Sequence, residues 1–260
     1  MSRLLKTLPL ALAIAAVVAL GVFAASCNSN SNALVRVVNC IPDNGTGGTI
    51  PLDVYVNGTK YFTDVRLGQA YPTPQAGGSA QYTSVPAGSV TFQAYDTGSS
   101  PTTPNAIWGA AGRTANLSGG TQYTVLLSGY VLNSGINPIP DNNTAPTTGD
   151  LTIRAINGSA TYSGGVDVLF YQTGEGNPGP GNAQITDLQI GQGQYVRNIT
   201  WEPSYTMEVY NQGQDPIIQG YTLPQGGSGS NGPISTVVLF DNGGGTTGIS
   251  QIPLVLNDLY

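Results

Sequence analysis

The chain has 260 residues, with 8 basic and 14 acidic side chains, 36 glycines, 18 prolines and no histidine. Only 8% of the residues are charged, far below the roughly 25% of an ordinary globular domain. The basic residues are too few and too scattered for the clustered positive footprint that nucleic acid requires. The absence of histidine excludes a Ser-His-Asp triad, a Cys-His pair and histidine metal ligands.

The N-terminus has the order of an export signal. Two basic residues precede an apolar run over residues 8–25, and small residues lead into Cys27. Small residues directly before a cysteine resemble the bacterial lipobox, in which that cysteine is lipidated and becomes the mature N-terminus. We therefore expect a lipoprotein signal peptide over 1–26, lipidation at Cys27 and a polar tether over 27–32. Simple secretion and an uncleaved membrane anchor are the alternatives.

Lipidation has consequences for location and for the second cysteine. Two acyl chains are enough for stable membrane attachment, so we expect an exported protein held on the bacterial cell-envelope membrane by lipid. Cys40 would then be unpaired, and we expect a small buried apolar residue there. A disulfide between Cys27 and Cys40 is the alternative if lipidation fails.

The rest of the chain contains two copies of one unit. Five segments recur in the same order at nearly constant spacing, which indicates a duplication. The paired segments are 34–39 with 152–157, 52–56 with 166–170, 62–69 with 185–192, 90–95 with 205–210, and 123–127 with 235–239.

Within each copy the hydrophobic period is two, which is typical of β-strands. In the first copy, Leu52–Val56 alternates and is followed by Asn57-Gly58, the preferred pair for a two-residue hairpin turn. Thr59–Val65 is the predicted partner strand. Pro86–Ser89 is interpreted as a second turn before the strand Val90–Tyr95. Short strands joined by such turns favour a sandwich or a barrel.

These patterns predict an all-β fold of two tandem antiparallel Ig-like β-sandwich domains. We expect domain 1 over 33–132, a linker over 133–149 that contains three prolines, and domain 2 over 150–260. Residues 252–260 are apolar almost to the terminus. We expect that stretch to form a final edge strand or to pack between the domains.

The order of several motifs in the first copy resembles the bacterial family catalogued as domain of unknown function 4397. The second copy keeps the strand cores but has Trp201-Glu202-Pro203-Ser204 in place of Val-Pro-Ala-Gly. The resemblance implies an exported β-sandwich envelope protein, often a lipoprotein with tandem copies, and implies no established activity or catalytic residues. The motifs are Val-Arg-Val-Val-Asn (35–39), Pro-Asp (42–43), Asp-Val-Tyr-Val-Asn-Gly (53–58), Gly68, Val-Pro-Ala-Gly (85–88) and Tyr-Thr-Val (123–125).

Acidic side chains are the remaining candidates for catalysis. Asp53 and Asp64 lie on strands predicted to pair, and the second copy repeats both carboxylates. Because they repeat in both copies, we expect a structural role, either in turn capping or in pairing with Arg36 and Arg154. We therefore expect no catalytic residue and no enzymatic activity.

Three polar loops carry oxygen atoms that suit calcium. They begin at Asp43, Asp141 and Asp241. None has the spacing of an EF-hand loop, and Asp and Asn favour turns for conformational reasons alone. We expect no metal and no cofactor, with calcium as a minor alternative.

Aromatic side chains in or beside loops are the other functional hint. Trp108 and Trp201, with Tyr162, Tyr171 and Tyr195, would form a stacking surface for sugars if they lie together. The alternative is that they pack on the sandwich faces with their polar tips in water.

The sequence predicts a non-enzymatic, lipid-anchored cell-envelope protein that acts as a structural, adhesion or binding module. Its expected partners are the membrane, through lipid at Cys27, and an envelope protein or a glycan, but not nucleic acid. The alternative is a carbohydrate-binding or glycan-processing accessory protein of the envelope.

Overall fold

The computed structural model describes most of the chain after residue 30. The predicted signal peptide, Cys27 and Trp108 lie outside the described residues. Within the described part the regular secondary structure is β-strand, as predicted, apart from one short 3-10 helix (Pro180–Asn182). No helix in these ranges is long and apolar enough to cross a membrane. The described residues are 31–42, 51–73, 81–99, 111–130, 134–162, 164–212, 214–224, 232–242 and 248–259.

The first half folds into two facing sheets. Sheet A has the order β4-β1-β8-β9, with β5 pairing the start of β1, and sheet B has the order β3-β2-β6-β7. The strands are β1 (Asn32–Asn39), β2 (Leu52–Val56), β3 (Thr59–Val65), β4 (Gln69–Tyr71), β5 (Thr83–Pro86), β6 (Gly88–Asp96), β7 (Arg113–Leu117), β8 (Gln122–Ser128) and β9 (Gly135–Pro140).

The second half repeats this architecture. Sheet C has the order β13-β10-β16-β17 and sheet D the order β12-β11-β14-β15. The two halves differ at one sheet edge. In the first half two short strands, β4 and β5, pair with the same edge of β1, whereas in the second half the single strand β13 pairs with β10. The strands are β10 (Asp150–Asn157), β11 (Val166–Gln172), β12 (Ile185–Leu188), β13 (Gly193–Thr200), β14 (Ser204–Tyr210), β15 (Pro216–Pro224), β16 (Ile234–Leu239) and β17 (Leu254–Leu259).

Strand alternation places a core inside each sandwich. In β1, Val35 and Val37 face sheet B and pack with Val54 and Phe92 from its strands. The second half has an equivalent core between sheets C and D. Each pair of sheets therefore buries the apolar side of its strands, which is how a β-sandwich is stabilised.

The Asn57-Gly58 prediction is confirmed. Val56 pairs with Thr59 across the turn, and both central residues have positive φ, 50° and 79°. Pro86–Ser89 is not a hairpin turn within one sheet but a connection between two sheets, because β5 belongs to sheet A and β6 to sheet B. The chain crosses between the two sheets at Ala87.

Two further features differ from the sequence prediction. The sheets are mostly antiparallel, but the central pairs β1 with β8 and β10 with β16 are parallel. The predicted linker 133–149 contains β9, which pairs with β8 and completes sheet A. Its prolines are tolerated because β9 is an edge strand.

A third apolar cluster joins the two sandwiches. It lies between the outer faces of sheets A and C, at positions that alternate with the residues of the inner cores. The C-terminal strand β17 is an edge strand of sheet C and also contributes to this cluster, which confirms the expectation for the last residues. Its buried members are Val38, Cys40, Ala70, Leu126, Ile139, Ile156, Val238 and Leu256.

Positions that correspond in the two copies meet across this interface. Cys40 and Gly158 are repeat counterparts, and a Cβ atom added to Gly158 would lie 2.6 Å from the Cys40 sulfur. Gly68 has a φ of 68°, and there is no room beside it for a Cβ atom because the Phe240 ring of the second sandwich lies against it. The interface has the self-complementary character of a two-fold dimer within one chain.

Candidate functional site

Buried charges lie beside the apolar part of the inter-sandwich interface. Their side chains are on the outer faces of sheets A and C, and two arginines and two aspartates balance in charge. We call this set the interface network: Arg36, Thr124 and Asp141 from the first sandwich, and Arg154, Thr236 and Asp258 from the second.

Arg36 extends from the first sandwich to the last strand of the second. Its Nε donates to Thr124 Oγ1 at 2.8 Å, and its Nη1 donates to Asp258 Oδ1. Thr236 holds the other oxygen of that carboxylate at 2.6 Å. Arg36 is only 2% exposed, so this ion pair is almost free of solvent screening.

Arg154 makes the reciprocal contact. Its Nη1 donates to Asp141 Oδ1 at 2.5 Å, and both side chains are fully buried. Asp141 also accepts from Thr124 at 2.8 Å and from the Tyr82 hydroxyl at 2.7 Å. Each copy therefore supplies an arginine to an aspartate of the other copy.

Two tyrosine rings cover the guanidinium groups. The ring centre of Tyr82 lies 5.5 Å from the central carbon of Arg36, and that of Tyr195 lies 4.9 Å from Arg154. The Tyr195 hydroxyl accepts from the backbone N–H of Asn142 at 2.8 Å. Such cation–π contacts add attraction at sites removed from water.

The network fixes the protonation of Asp141 and of Arg36. Burial disfavours the charged form of Asp141, but Arg36 and Arg154 outweigh that cost and hold its pKa below the ordinary value. Burial also opposes the charge on Arg36, and the carboxylates of Asp258 and Asp141 outweigh it, so the pKa of Arg36 is raised. Asp141 and Arg36 are therefore both charged, and the ion pairs that they make are closed to solvent.

Another buried carboxylate, outside the interface network, lies on the outer face of sheet D. Glu208 is 5% exposed and accepts hydrogen bonds from Tyr171 (3.0 Å), Asn177 Nδ2 (2.7 Å) and the Tyr210 hydroxyl. Burial, followed by the hydrogen bond to Glu208, raises the pKa of Tyr171 to about 12. The first copy has Gln93 at the corresponding position, so the carboxylate belongs to the second copy alone.

An open cavity of about 590 Å³ adjoins this carboxylate. Asn177 and Tyr210 belong to both the cavity and the Glu208 cluster. The exposed side chains of Gln214 and Asp215 add an amide and a carboxylate to its lining. The lining residues are Asn177, Pro180, Tyr210, Gln214, Asp215 and Pro216.

The four residues of the predicted aromatic set that the structure describes do not lie together on one surface. Trp201 and Tyr162 pack against the core of the second sandwich. Tyr171 lies on sheet D beside Glu208. Tyr195 lies on sheet C between Arg154 and Arg197, and the central guanidinium carbon of Arg197 is 4.5 Å from the centre of the Tyr195 ring. The described members of the set therefore pack on separate faces, and the indole nitrogen of Trp201 is buried rather than in water.

The paired carboxylates hold the backbone, as their repetition suggested, but their partners are not Arg36 and Arg154. Asp53 accepts from the N–H of Asp64 at 3.1 Å and from Lys60 Nζ at 2.9 Å. In the second copy, Asp167 accepts from the N–H of Asp187 at 2.8 Å. Asp64 and Asp187 both have a φ of 54°, so each carboxylate stabilises a strained backbone position in the strand.

The loops considered for calcium have other roles where they are described. Asp141 belongs to the interface network, and Asp241 accepts from Ser159 Oγ and from the backbone N–H groups of Ala160 and Thr161. Asp43 lies outside the described residues. In the described ranges, no three His, Cys, Asp or Glu side chains gather in a group that could hold a metal ion.

Cys40 is fully buried in the inter-sandwich cluster, and its burial raises the pKa of the thiol. This agrees with its predicted role as a small buried residue.

The interface network itself is what the sequence analysis missed. The sequence did contain a signal for it. Arg36 lies in the middle of an apolar strand and recurs 118 residues later as Arg154, and an aspartate of the network follows each arginine further along the chain, Asp141 and Asp258.

The fold and its interface define a class of protein in which two copies of a β-sandwich are joined face to face within one chain. The chain belongs to the family described as a domain of unknown function (DUF4397), which matches residues 33–169. None of the curated proteins compared matches the chain.

Among solved structures, the chain is similar to a carbohydrate-binding module of family CBM26 from Eubacterium rectale, crystallised with maltoheptaose. The identity is 10%, the match covers 85% of this chain and 97% of that one, and the TM-score is 0.22. So low a score carries no argument about the ligand of this chain.

Proposed function

We propose that this chain is a non-enzymatic, lipid-anchored protein of the bacterial cell envelope, in which two β-sandwiches act as one rigid module for adhesion, scaffolding or binding. The export pattern ahead of Cys27 supports the location. The family supports no particular activity, because its function is unknown.

The observation that carries the rigid-module proposal is the interface network. Two domains that move independently are usually joined by a polar, hydrated contact. Here an apolar cluster and two reciprocal ion pairs are buried between the sandwiches. A buried ion pair tolerates little misalignment, since its attraction offsets desolvation only when its geometry is good. Such an interface suits a fixed spacer.

The first experiment tests the proposed membrane location and the lipid anchor. Mass spectrometry of the mature protein from its native membrane should show an N-terminal Cys27 that carries acyl chains. The variant Cys27→Ser should move the protein from the membrane to the soluble fraction while its circular dichroism spectrum stays unchanged. An unmodified mature N-terminus that lacks Cys27 would refute the lipid anchor.

Glycan binding is the second candidate function, and the cavity beside Glu208 is the observation that favours it. Amide and carboxylate groups from Asn177, Gln214 and Asp215 offer hydrogen bonds to sugar hydroxyls, and two proline rings lie beside them. The lining is mostly polar, and polar groups that converge in a concave site are one feature of small-ligand sites.

A glycan array on a soluble form that starts at residue 28 tests this candidate. Saturable binding that is lost in a Gln214→Ala, Asp215→Ala double variant and kept in Trp201→Ala would place a sugar in the cavity. Trp201 is the matched control because it packs on the core of the second sandwich. Binding that disappears in Trp201→Ala while its circular dichroism spectrum stays unchanged, or no binding at all, contradicts the cavity as a glycan site.

A further inference from the structure

We propose that one end of the first sandwich rests against the lipid headgroups and sets the orientation of the whole module on the membrane. This proposal rests on the lipid anchor at Cys27. We call this end the membrane-facing rim, and it consists of residues 31–32, 86–89 and 116–122.

The rim is defined by the point at which the chain becomes fixed to the sandwich. The Ser31 carbonyl accepts from the N–H of Ala87 at 2.9 Å, and the Asn32 carbonyl accepts from the N–H of Gly120 at 2.8 Å. The chain is thus hydrogen-bonded to two loops of the rim as it enters β1. From Ser31 onward the chain is therefore part of the sandwich and adds nothing to the tether.

The remaining tether is short. Three residues separate Cys27 from Ser31, and four residue steps span at most about 14 Å when fully extended. The rim must therefore lie within about 14 Å of the lipidated cysteine, which sits at the membrane surface. No other end of the first sandwich can be so close, because β1 and β8 run away from the rim in parallel.

The composition of the rim suits this position. Its residues are Ser, Asn, Pro, Ala, Gly, Leu, Thr and Gln, without a single charge. The chain after the signal has 14 acidic and six basic residues, and acidic groups are repelled by an anionic leaflet within a Debye length. Ser89 and Ser118 are exposed, so the rim presents small polar groups that contact headgroups without inserting into the hydrocarbon.

The orientation determines which surface faces away from the membrane. Six residue steps along β8, from Gln122 to Ser128, cover about 20 Å. Beyond them lies Tyr130, which is 50% exposed and whose hydroxyl is 3.3 Å from Thr161 Oγ1 of the second sandwich. The Tyr130 end is therefore the one that the module presents to partners.

Site-specific quenching in the full-length lipoprotein tests the orientation. Cys27 is blocked by lipid and Cys40 is buried, so one introduced cysteine takes the fluorescent label. Ser118→Cys and Ser89→Cys probe the rim on two loops, and Tyr130→Cys is the matched control at the far end. The labelled proteins are reconstituted in phosphatidylglycerol vesicles that carry a nitroxide on the lipid headgroup.

We expect quenching at both rim positions that is severalfold stronger than at Tyr130. Equal quenching at the two ends, or stronger quenching at Tyr130, overturns the proposed orientation. A Gly/Ser insertion after Asn30 that doubles the tether should reduce the quenching at Ser118. Unchanged quenching in that variant overturns the argument from tether length.

Co-sedimentation with the vesicles, measured first, separates the two proposals. A protein that stays in the supernatant has no lipid anchor, so the proposed function and the orientation both fail. A protein that sediments but shows no difference between the rim and Tyr130 keeps its anchor and loses only the orientation.

Discussion

Replacing Asp141 with alanine should destabilise the protein more than any change to a surface charge. The carboxylate is fully buried, as is Arg154, whose Nη1 it binds at 2.5 Å. Removing one partner of a buried ion pair costs about 3–5 kcal/mol, because the other charge is left without compensation. At about 2–4 °C per kcal/mol for a chain of this size, the melting temperature should fall by about 6–20 °C.

The assay is thermal and urea unfolding of the soluble form, followed by circular dichroism. The matched control is Arg66→Ala, which breaks the pair with Asp64, where the two side chains are 61% and 43% exposed. An exposed pair contributes about 0–1 kcal/mol, so this control should hardly change the midpoint.

A double-mutant cycle assigns the loss to the ion pair itself. Arg154→Met alone and together with Asp141→Ala should give an interaction energy of about 1–3 kcal/mol. A loss of less than about 1 kcal/mol for Asp141→Ala, similar to the Arg66→Ala control, would refute the reasoning. It would mean that water reaches the interface network and screens its charges.

Three further perturbations test other parts of the structure. The two guanidinium groups outweigh burial and lower the pKa of Asp141 below its ordinary 3.8, so its charged form stabilises the fold above that pH. The stabilisation should be lost as the pH falls through about 4 and below, and urea unfolding at each pH should show a flatter profile for Asp141→Asn. Gly68→Ala should cost at least about 1 kcal/mol more than Gly58→Ala, since both sites have positive φ but only Gly68 has an aromatic ring of the second sandwich against it. Glu208→Gln should lower the pKa of Tyr171 from about 12, while burial keeps it above the ordinary value, as a ring-carbon NMR titration will show.

Local patterns explain why much of the fold was predictable. The alternation in Leu52–Val56 and the Asn57-Gly58 turn act between neighbours in sequence, so the hairpin follows from the residues themselves. The duplication extended this prediction to the second copy. Strand β9 was missed because Gly135–Pro140 has two prolines, and such a segment forms a strand only when a sheet edge is free to receive it.

The candidate sites depend on contacts that no local pattern encodes. Arg36 and Asp258 are 222 residues apart in sequence, and only the packing of sheet A on sheet C brings them together. Asp141 was placed in a linker because the strand before it was not recognised. Glu208 has partners on another strand and in the loop after β11, so its burial follows from tertiary structure alone.

The central claim is that the two sandwiches form one rigid body. Spin labels at Ser118→Cys and Thr222→Cys, one on an exposed position of each sandwich, report the distance between them by pulsed electron resonance in a Cys27→Ser background. The account predicts one narrow distance distribution, which broadens when Asp141 is replaced by alanine. A broad distribution in the otherwise unaltered protein would contradict it.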